Sequence, residues 1–439
     1  MRKFLIVLMI VVSICSCIFI FGACGKDDSV VPPDFKVFKP NTCLVNDKGY
    51  EDYAKKVFLN TETYPALKGE GLWWLKYNNE TRLMEEYYSG TEAGAAIIDT
   101  NKPTAIFVHG VLTGLGRMNY RETFELGFLG DEVDFPNTFQ KGDKLYSTKF
   151  WLDKGYNVGI FHYEHFVDTI NIVSLPVESS NNIWGVKEGG LSFIQNVNGS
   201  LVTYENASNY SIAQFFAAEY IRAMNLLPKT MGDKEIRIAG HSMGGVLCTA
   251  GMFLLTELNL AGQIESRCMP DRLTYMDSYI AMYGGGDYSE TPIAWSNKQL
   301  IENSQGKTYV ECVKAMAKRG LVMDSIYAEV STVNGLNDNI NEVVKYVASA
   351  MYSPVFLNSY GTGAHNTVRE LFMSSIIYDP VKIQGTNECC ISASTPLEDS
   401  AKLMGKNFII IDGYNTPTIT DDVFIAEPYV QFKKYYVNN

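Results

Sequence analysis

The sequence predicts an α/β fold with a mostly parallel central sheet and helices on both faces. Two observations predict it. Short runs rich in apolar and β-branched residues, such as "PTAIFV", "NVGIFHY" and "KEIRIAG", are typical of buried strands. Segments typical of helices lie between or beside such runs: "SIAQFFAAEYIRAMNLL", "GVLCTAGMFLLTELNL" and "NDNINEVVKYVASAM". Strands that alternate with helices favour a parallel sheet.

The first 23 residues resemble an export signal. Arg2 and Lys3 precede an apolar run from Phe4 to Phe21, and two small residues then lead to Cys24. The stretch "FGAC" resembles the lipobox of bacterial lipoproteins, whose cysteine is acylated and becomes the new N-terminus. The resemblance implies an exported protein of the bacterial cell envelope with a lipid anchor in the membrane. A plain signal peptide, giving a secreted protein, and an uncleaved anchor are the alternatives.

The rest of the chain divides by pattern. Residues 24–45 are polar and proline-rich, which predicts a tether. Residues 46–100 contain "LWWLKYNNETRLMEEYY", an aromatic-rich hairpin that predicts N-terminal strands. Residues 101–388 carry the strand–helix alternation and form the expected core of the fold. Residues 389–439 contain "NFIIIDGY" and "DDVFIAEPYVQF", which predict further strands.

Charge and cysteine spacing limit the partners. The chain has 439 residues with 49 acidic against 37 basic, and its net charge is -12. An acidic balance argues against nucleic acid as a partner. No Cys-x-x-Cys pair exists, so the sequence indicates no zinc site, and we expect no metal or cofactor.

A G-x-S-x-G pentapeptide follows the strand "KEIRIAG" and opens the next helix. It reads Gly240-His241-Ser242-Met243-Gly244. Between a strand and a helix this motif is a nucleophile elbow, a tight turn from which the serine projects. The N-terminus of the following helix directs N–H groups and a partial positive charge at a negative oxygen formed there. The motif predicts Ser242 as a catalytic nucleophile.

A serine needs a general base to react at neutral pH. The chain has five histidines, and only His365, in "YGTGAHNTVREL", follows Ser242. Elbow serines occur in α/β-hydrolases, where the triad runs along the chain in the order serine, acid, histidine. If that order holds, His365 is the candidate base.

Two aspartates are candidates for the acid that orients the base. Asp277 follows "RLTYM" and Asp324 follows "GLVM", and both runs are strand-like. We prefer Asp277, because an aromatic strand leads directly into it and the glycine-rich "AMYGGGD" follows. Asp324 lies in a more helix-compatible neighbourhood and stays the alternative.

The oxyanion hole needs two backbone N–H donors. One is expected from Met243, the residue after the nucleophile. The other is expected from Val111, with Leu112 as the alternative, in the loop after the strand "TAIFV". In that loop Gly110 permits a tight turn, and His109 is expected to play a structural role through hydrogen bonds within the loop.

The motifs together resemble a secreted lipase of the α/β-hydrolase superfamily, in the branch of the animal pancreatic-type lipases. The resemblance runs from Pro103 to Ile377 and is carried by "VHG", "GHSMGG", "YMDSY" and "AHNTVRELFMSSI". It implies hydrolysis of carboxylic esters of acyl lipids through an acyl-enzyme. In that branch the acid follows the earlier of the two strands, which supports Asp277, although this chain has Asp277-Ser278 where the family has Asp-Pro.

The segment 168–210 fits the strand–helix alternation poorly. Connections of this length are usually functional or disordered. Its apolar side chains are those expected of a lid over a lipase site: Ile170, Ile172, Leu175, Trp184 and Phe193. Alternatives on the same triad are a short-chain esterase, a phospholipase or an acyltransferase. A further alternative is a surface lipoprotein that binds lipid or a partner without catalysis.

Overall fold

The structure of the protein is a computed structural model. The described residues are 53–57, 59–111, 121–126, 145–167, 182–186, 190–228, 234–279, 305–328, 340–352, 364–412 and 424–428. The predicted signal (1–23), the predicted tether (24–45) and Cys24 lie outside them. The lipid anchor and the export signal therefore stay predictions.

The strands and helices follow the predicted alternation. The strands are β1 Gly71–Asn78, β2 Leu83–Tyr88, β3 Thr104–Val108, β4 Asn157–His162, β5 Leu191–Val197, β6 Ser200–Ser208, β7 Ile236–His241, β8 Arg272–Met276, β9 Val322–Ala328, β10 Ala348–Tyr352, β11 Lys382–Ile383, β12 Asn407–Asp412 and β13 Phe424–Pro428. The helices are α1 Glu92–Ala96, α2 Ser147–Asp153, α3 Glu164–Val167, α4 Ile212–Leu226, α5 Met243–Leu260, α6 Gln305–Lys318, α7 Ile340–Val343, α8 Ala364–Ser374 and α9 Leu397–Leu403.

Among the described residues, one 11-stranded sheet has the strand order β2-β1-β4-β3-β7-β8-β9-β10-β12-β13-β11. Every neighbouring pair from β4 to β12 is parallel. The pairs β1–β2, β1–β4 and β12–β13 are antiparallel. The strands β5 and β6 form a separate two-stranded hairpin. The carboxyl ends of the parallel strands therefore meet at one edge of the sheet, where α/β folds place their ligand sites.

Helices cover both faces of this sheet. Phe107 of β3 contacts the ring of Trp151 in α2, with centroids 5.1 Å apart. Phe107 pairs in register with Ile160 of β4, so the next residue, Phe161, points to the opposite face. There Phe161 contacts Phe216 of α4 at 4.9 Å. The predicted fold class, a mostly parallel sheet between two helical layers, is confirmed.

The helix α5 runs through the core. Within the described residues it is the one helix long and apolar enough to cross a membrane, but 83% of its apolar window is buried inside the protein. At Gly251 a Cβ atom would stand 2.3 Å from the ring of Phe216, so only glycine lets α4 and α5 pack this closely. Apolarity and burial together identify α5 as a core helix.

One predicted helix is a short helix followed by a strand. The stretch "NDNINEVVKYVASAM" suggests helix by its pattern, yet α7 spans only four residues and β10 begins at Ala348. Every residue of β10 is buried, and the strand pairs with β9 on one side and β12 on the other. Pairing on both sides satisfies the backbone of β10 and overrides the local helical preference.

The residues 389–439 extend the sheet. Strand β12 adds a parallel strand next to β10, and β13 returns antiparallel beside it. The predicted strands in this region are thus present in the described residues, at the sheet edge farthest from β2.

Candidate active site

Ser242 lies in a strained turn at the carboxyl end of β7. Its φ is 53° and its ψ is -121°, a backbone conformation that non-glycine residues rarely adopt. A Cβ at Gly240 would stand 2.4 Å from the carbonyl oxygen of Gly244, and a Cβ at Gly244 would stand 2.4 Å from that of Val108. These two glycines let the strand, the turn and α5 come together. This is the backbone geometry predicted for a nucleophile elbow.

The elbow is tied to the end of the neighbouring strand. Ser242 is the N-cap of α5, but its side chain does not cap the helix as an N-cap serine ordinarily does. The Ser242 N–H donates to the Met276 carbonyl oxygen at 3.1 Å, and the Tyr279 N–H donates to the Ser242 carbonyl oxygen at 3.0 Å. These two contacts bracket Asp277, so the predicted acid leaves the sheet directly beside the predicted nucleophile.

Asp277 and His365 form a hydrogen-bonded pair. His365 Nδ1 lies 2.8 Å from Asp277 Oδ2, with the aspartate side chain fully buried and the histidine side chain 21% exposed. Asp277 has φ 45°, another strained position, and its backbone N–H donates to the Ile326 carbonyl oxygen at 2.6 Å. The Ala328 N–H donates to Asp277 Oδ1 at 3.3 Å. With Nδ1 bound to the carboxylate, Nε2 is the His365 nitrogen left to accept a proton.

His241, the histidine of the elbow, contacts His365. The His241 ring lies 4.6 Å from the His365 ring, and His241 Nε2 is 3.2 Å from the His365 carbonyl oxygen. Burial, together with the neighbouring charges of His365 and Arg369, holds the pKa of His241 well below its usual range. A neutral His241 can donate its Nε2–H to that carbonyl without repelling a positive charge on His365.

The loop after β3 lies against the elbow. A Cβ at Gly110 would stand 2.8 Å from the Ser242 Cβ, so only a glycine backbone fits at this distance. Val111, the predicted oxyanion donor, follows directly and is half-buried. Met243, the other predicted donor, is the first residue of α5. The alternative donor Leu112 lies outside the described residues.

The alternative acid, Asp324, is engaged elsewhere. It does not end a strand, because β9 continues to Ala328, and its register partner Thr274 is in the middle of β8. Asp324 Oδ2 accepts a hydrogen bond from Nε of Arg272 at 2.5 Å, with both side chains fully buried. Arg272 is the first residue of β8, so it lies at the amino end of the parallel strands, whereas Ser242 lies at their carboxyl end. An acid for His365 is therefore not available from Asp324, which forms a structural ion pair.

The residue after Asp277 supports the elbow. The Ser278 hydroxyl donates to the Ser242 carbonyl oxygen at 3.4 Å and accepts from the Tyr309 hydroxyl at 3.3 Å. In place of the proline of the pancreatic-type family, this chain therefore has a hydroxyl that binds the elbow backbone. The departure changes a rigid residue for a hydrogen bond and leaves Asp277 in place.

The described part of the predicted lid is a hairpin with its own packing. Residues 190–208 contain β5 and β6, and Phe193 stacks on Tyr204 at 4.8 Å and contacts Tyr64 at 5.4 Å. Trp184 and Phe193 are both buried. These two side chains are among those expected to belong to a lid, and both are packed inside the protein. Ile170, Ile172 and Leu175 lie outside the described residues, and the lid stays a prediction.

A second cluster of titratable side chains lies behind the loop after β3. One ring nitrogen of His109, one of His162 and a Glu164 carboxylate oxygen lie within 4.8 Å of one another, and all three residues are buried. His162 Nδ1 is 2.6 Å from Glu164 Oε1, and His162 Nε2 is 3.0 Å from Glu86 Oε1. Three converging ligands of this kind can hold a metal ion. Here hydrogen bonds and ion pairs account for these atoms, so we describe the group as a charged network.

The charges in this network reinforce one another. Burial alone would lower the pKa of His162, but the carboxylates of Glu164 and Glu86 outweigh it and raise the pKa to about 9. Burial would raise the pKa of Glu164, but the positive charge of His162 holds it well below its usual range. Sequence reasoning missed this network. The signal was "HYEH", which places a histidine at the end of β4 and a carboxylate two residues later.

Comparison with known proteins finds similarity to solved structures only. No family model matches the chain, and no curated protein matches it. The structure is similar to MenH from S. aureus (11% identical, covering 64% of this chain and 94% of that one, TM-score 0.28). It is also similar to FphF, a fluorophosphonate-binding serine hydrolase of Staphylococcus aureus (12% identical, 70% and 98%, TM-score 0.30). A third is a lipase-esterase related protein from Clostridium acetobutylicum (10% identical, 62% and 94%, TM-score 0.27).

These likenesses concern fold, and no substrate is carried over from them. The arrangement within the chain is specific enough by itself. A mostly parallel sheet lies between helical layers, and a G-x-S-x-G elbow joins β7 to α5. The chain has the α/β-hydrolase fold.

Proposed function

We propose that the protein is a serine hydrolase that cleaves carboxylic esters of acyl lipids through an acyl-enzyme. One observation carries the proposal. A serine held at φ 53° is tied by its backbone to the end of the strand from which Asp277 reaches His365 at 2.8 Å. A backbone conformation of this kind costs about 1–3 kcal/mol and persists where function requires it.

Each step of the proposed reaction is assigned to one named group. The Ser242 Oγ attacks the ester carbonyl carbon while His365 Nε2 takes the hydroxyl proton. The carbonyl oxygen becomes negative and binds to the N–H groups of Met243 and Val111. His365 then gives its proton to the leaving alcohol oxygen as the C–O bond breaks. A water then gives a proton to the same nitrogen and attacks the acyl-enzyme carbonyl carbon. His365 passes that proton to Ser242 Oγ as the bond to the serine breaks and the fatty acid is released.

The acyl-lipid substrate is the finer part of the proposal. It is supported by the resemblance to the pancreatic-type lipases, with Asp277 on the strand next to the nucleophile strand. It is also supported by the insertion before α4, whose hairpin lies beside His165, close to the end of β4. That is the edge of the sheet on which Ser242 lies, and a lid belongs there.

Hydrolysis of two substrates tests the proposal. Wild-type protein and Ser242→Ala are compared on an emulsified long-chain acylglycerol and on a dissolved short-chain ester. We expect the wild type to cleave the emulsion, with a rise in rate once the interface forms. Ser242→Ala should lose turnover by about 10⁶-fold.

Two results contradict the proposal in different ways. If the wild type cleaves only the dissolved ester, the protein is a short-chain esterase and not a lipase. Hydrolysis left unchanged in Ser242→Ala would remove the catalytic role altogether.

We propose further that the enzyme is held at the membrane of the bacterial envelope by an acylated Cys24. The supporting observation is the lipobox-like "FGAC" after an apolar run. Cys24→Ala should move the protein from the membrane fraction to the soluble fraction. Persistent membrane attachment of that variant would contradict acylation and favour an uncleaved apolar segment.

A further inference from the structure

The loop after β3 is held at its beginning by the residue that follows β4. The Tyr163 hydroxyl donates to the His109 carbonyl oxygen at 2.6 Å. The Tyr163 ring stacks on the His109 ring, with centroids 4.4 Å apart and planes 24° apart. The His109 carbonyl belongs to the peptide group that enters Gly110, the residue in contact with Ser242. Tyr163 therefore holds the peptide group that joins His109 to Gly110. The next peptide group carries the N–H of Val111, the predicted oxyanion donor, and its Gly110 carbonyl oxygen lies 2.7 Å from His109 Nδ1, in the ring on which Tyr163 stacks.

Glu164, the residue after Tyr163, binds the described chain on the far side of positions 112–120. The Glu122 N–H donates to Glu164 Oε1 at 3.3 Å. Arg121, next to Glu122, donates through Nε to Glu86 Oε2 at 2.6 Å and through Nη1 to the Gly69 carbonyl oxygen at 2.6 Å. Tyr163 and Glu164 are adjacent, so a single point of the chain holds both ends of this loop.

His162 joins these contacts into one network. Its two ring nitrogens bind Glu164 and Glu86, one carboxylate on each side. With His162 and Arg121 positive and the two glutamates negative, the four groups balance in charge. The His162–Glu164 pair is buried, so breaking it leaves an uncompensated charge, while Arg121 and Glu86 are partly exposed.

The same network reaches the helix of the base. Glu122 Oε2 lies 3.6 Å from Nη1 of Arg369. Arg369 follows His365 by four residues on α8, about one helical turn away. The loop that carries Val111 and the helix that carries His365 thus share a charged contact at Glu122.

We propose that Tyr163 is a positioning residue for the oxyanion hole, with Glu164 and His162 as its support. This inference rests on the proposed function, since it assigns a task to residues that do not touch the substrate. Removing the Tyr163 hydroxyl frees the carbonyl before Gly110 to rotate, which displaces the Val111 N–H. A displacement of about 1 Å costs about 10²-fold in rate. Loss of a whole oxyanion donor costs about 10²–10³-fold.

The test compares two tyrosine-to-phenylalanine variants. Tyr163→Phe removes the hydroxyl and keeps the ring stack. The matched control is Tyr220→Phe, because the Tyr220 hydroxyl donates to the Cys268 carbonyl oxygen at the same distance, 2.6 Å, and is also buried. Thermal unfolding of both variants measures the stability that each hydrogen bond contributes, and kcat and KM are measured on folded protein.

We expect a split between the kinetic constants. In Tyr163→Phe, kcat falls by about 10–10²-fold with KM unchanged, because the lost contact acts only once the oxyanion forms. A trifluoromethyl ketone, which forms an oxyanion on the serine, should bind Tyr163→Phe more weakly by the same factor. Tyr220→Phe should keep kcat, KM and inhibitor affinity, with a loss of thermal stability similar to that of Tyr163→Phe.

Two outcomes overturn the inference. If the two variants have equal kcat and equal inhibitor affinity, Tyr163 is only a stabilising residue, while an active wild type and an inactive Ser242→Ala leave the proposed function standing. If elemental analysis finds one metal ion per purified chain, lost in His162→Gln, the network is a metal site and the positioning account fails.

Discussion

Among the described residues, the pairs His365–Asp277 and His162–Glu164 have the same kind of hydrogen bond, between a ring Nδ1 and a carboxylate oxygen. His365 Nδ1 is 2.8 Å from Asp277, and His162 Nδ1 is 2.6 Å from Glu164. They differ in what surrounds the rest of the ring. His365 is 21% exposed at the edge of the sheet beside Ser242, whereas His162 is fully buried and binds Glu86 through its second nitrogen.

The comparison shows that a histidine–carboxylate contact alone does not identify a general base. A ring with a carboxylate on each nitrogen keeps its proton, and the pKa of His162 is accordingly raised to about 9. Such a ring cannot take a proton from a serine at neutral pH. His365 gives one nitrogen to its carboxylate and lies next to a neutral His241, which is the setting that the proposed general base requires.

Replacement of each histidine should give the largest difference between the two pairs, in turnover and in the free energy of unfolding. His365→Gln should lose turnover by about 10⁶-fold with little change in the free energy of unfolding, because the triad acts as a unit. His162→Gln should lose about 3–5 kcal/mol of that free energy, because the buried Glu164 carboxylate loses its cation. Its turnover should stay within about 10²-fold of wild type. Equal inactivity of two folded variants would erase the distinction between the pairs.

Replacement of Asp277, which follows β8, and of Asp324, which lies in the neighbouring strand β9, distinguishes the proposed catalytic acid from a structural one. Asp277→Asn should lower kcat by about 10⁴-fold, because an amide no longer fixes the His365 tautomer or stabilises its positive charge. Asp324→Asn is the matched control. It removes the buried partner of Arg272 and should cost about 3–5 kcal/mol of stability, with kcat of the folded protein retained. A larger fall in kcat for Asp324→Asn would reverse the assignment of the acid.

The pH dependence of stability is the smallest expected effect. The pKa of His162 is about 9 in the folded protein against an ordinary 6.5, so its stabilisation is complete below about 6.5 and is lost as pH rises through 9. We expect the gap in unfolding free energy between wild type and His162→Gln to narrow from about pH 7 to about pH 10. A gap that stays constant over this range in chemical denaturation would show that His162 is neutral in the folded protein.

The sequence was sufficient for groups that are close in the chain or unique in it. The elbow is predictable because strand, glycines and helix are contiguous, and His365 because it is the one histidine after Ser242. The fold class followed from alternation that the sheet then satisfied, with both neighbours of β3 and of β7 parallel.

What the sequence could not give depends on distant contacts. Asp324 looked like the end of a strand because the four residues before it are apolar or glycine, and only its contact with Arg272, 52 residues earlier, shows its structural role. The stretch that contains β10 predicts helix by its local pattern, because the strands that pair with it, β9 and β12, are separate segments of the chain. The network around His162 draws on Glu86, 76 residues away, which no local pattern reveals.

The central claim is that one hydroxyl, that of Ser242, is activated by His365. Mass spectrometry after reaction with a fluorophosphonate probe tests it most directly, because such a probe modifies activated serines and can be located by peptide. We expect a single adduct on the peptide containing Ser242 in the wild type and no adduct in folded His365→Gln. A folded wild type that carries no adduct, or carries it on another serine, would contradict the account.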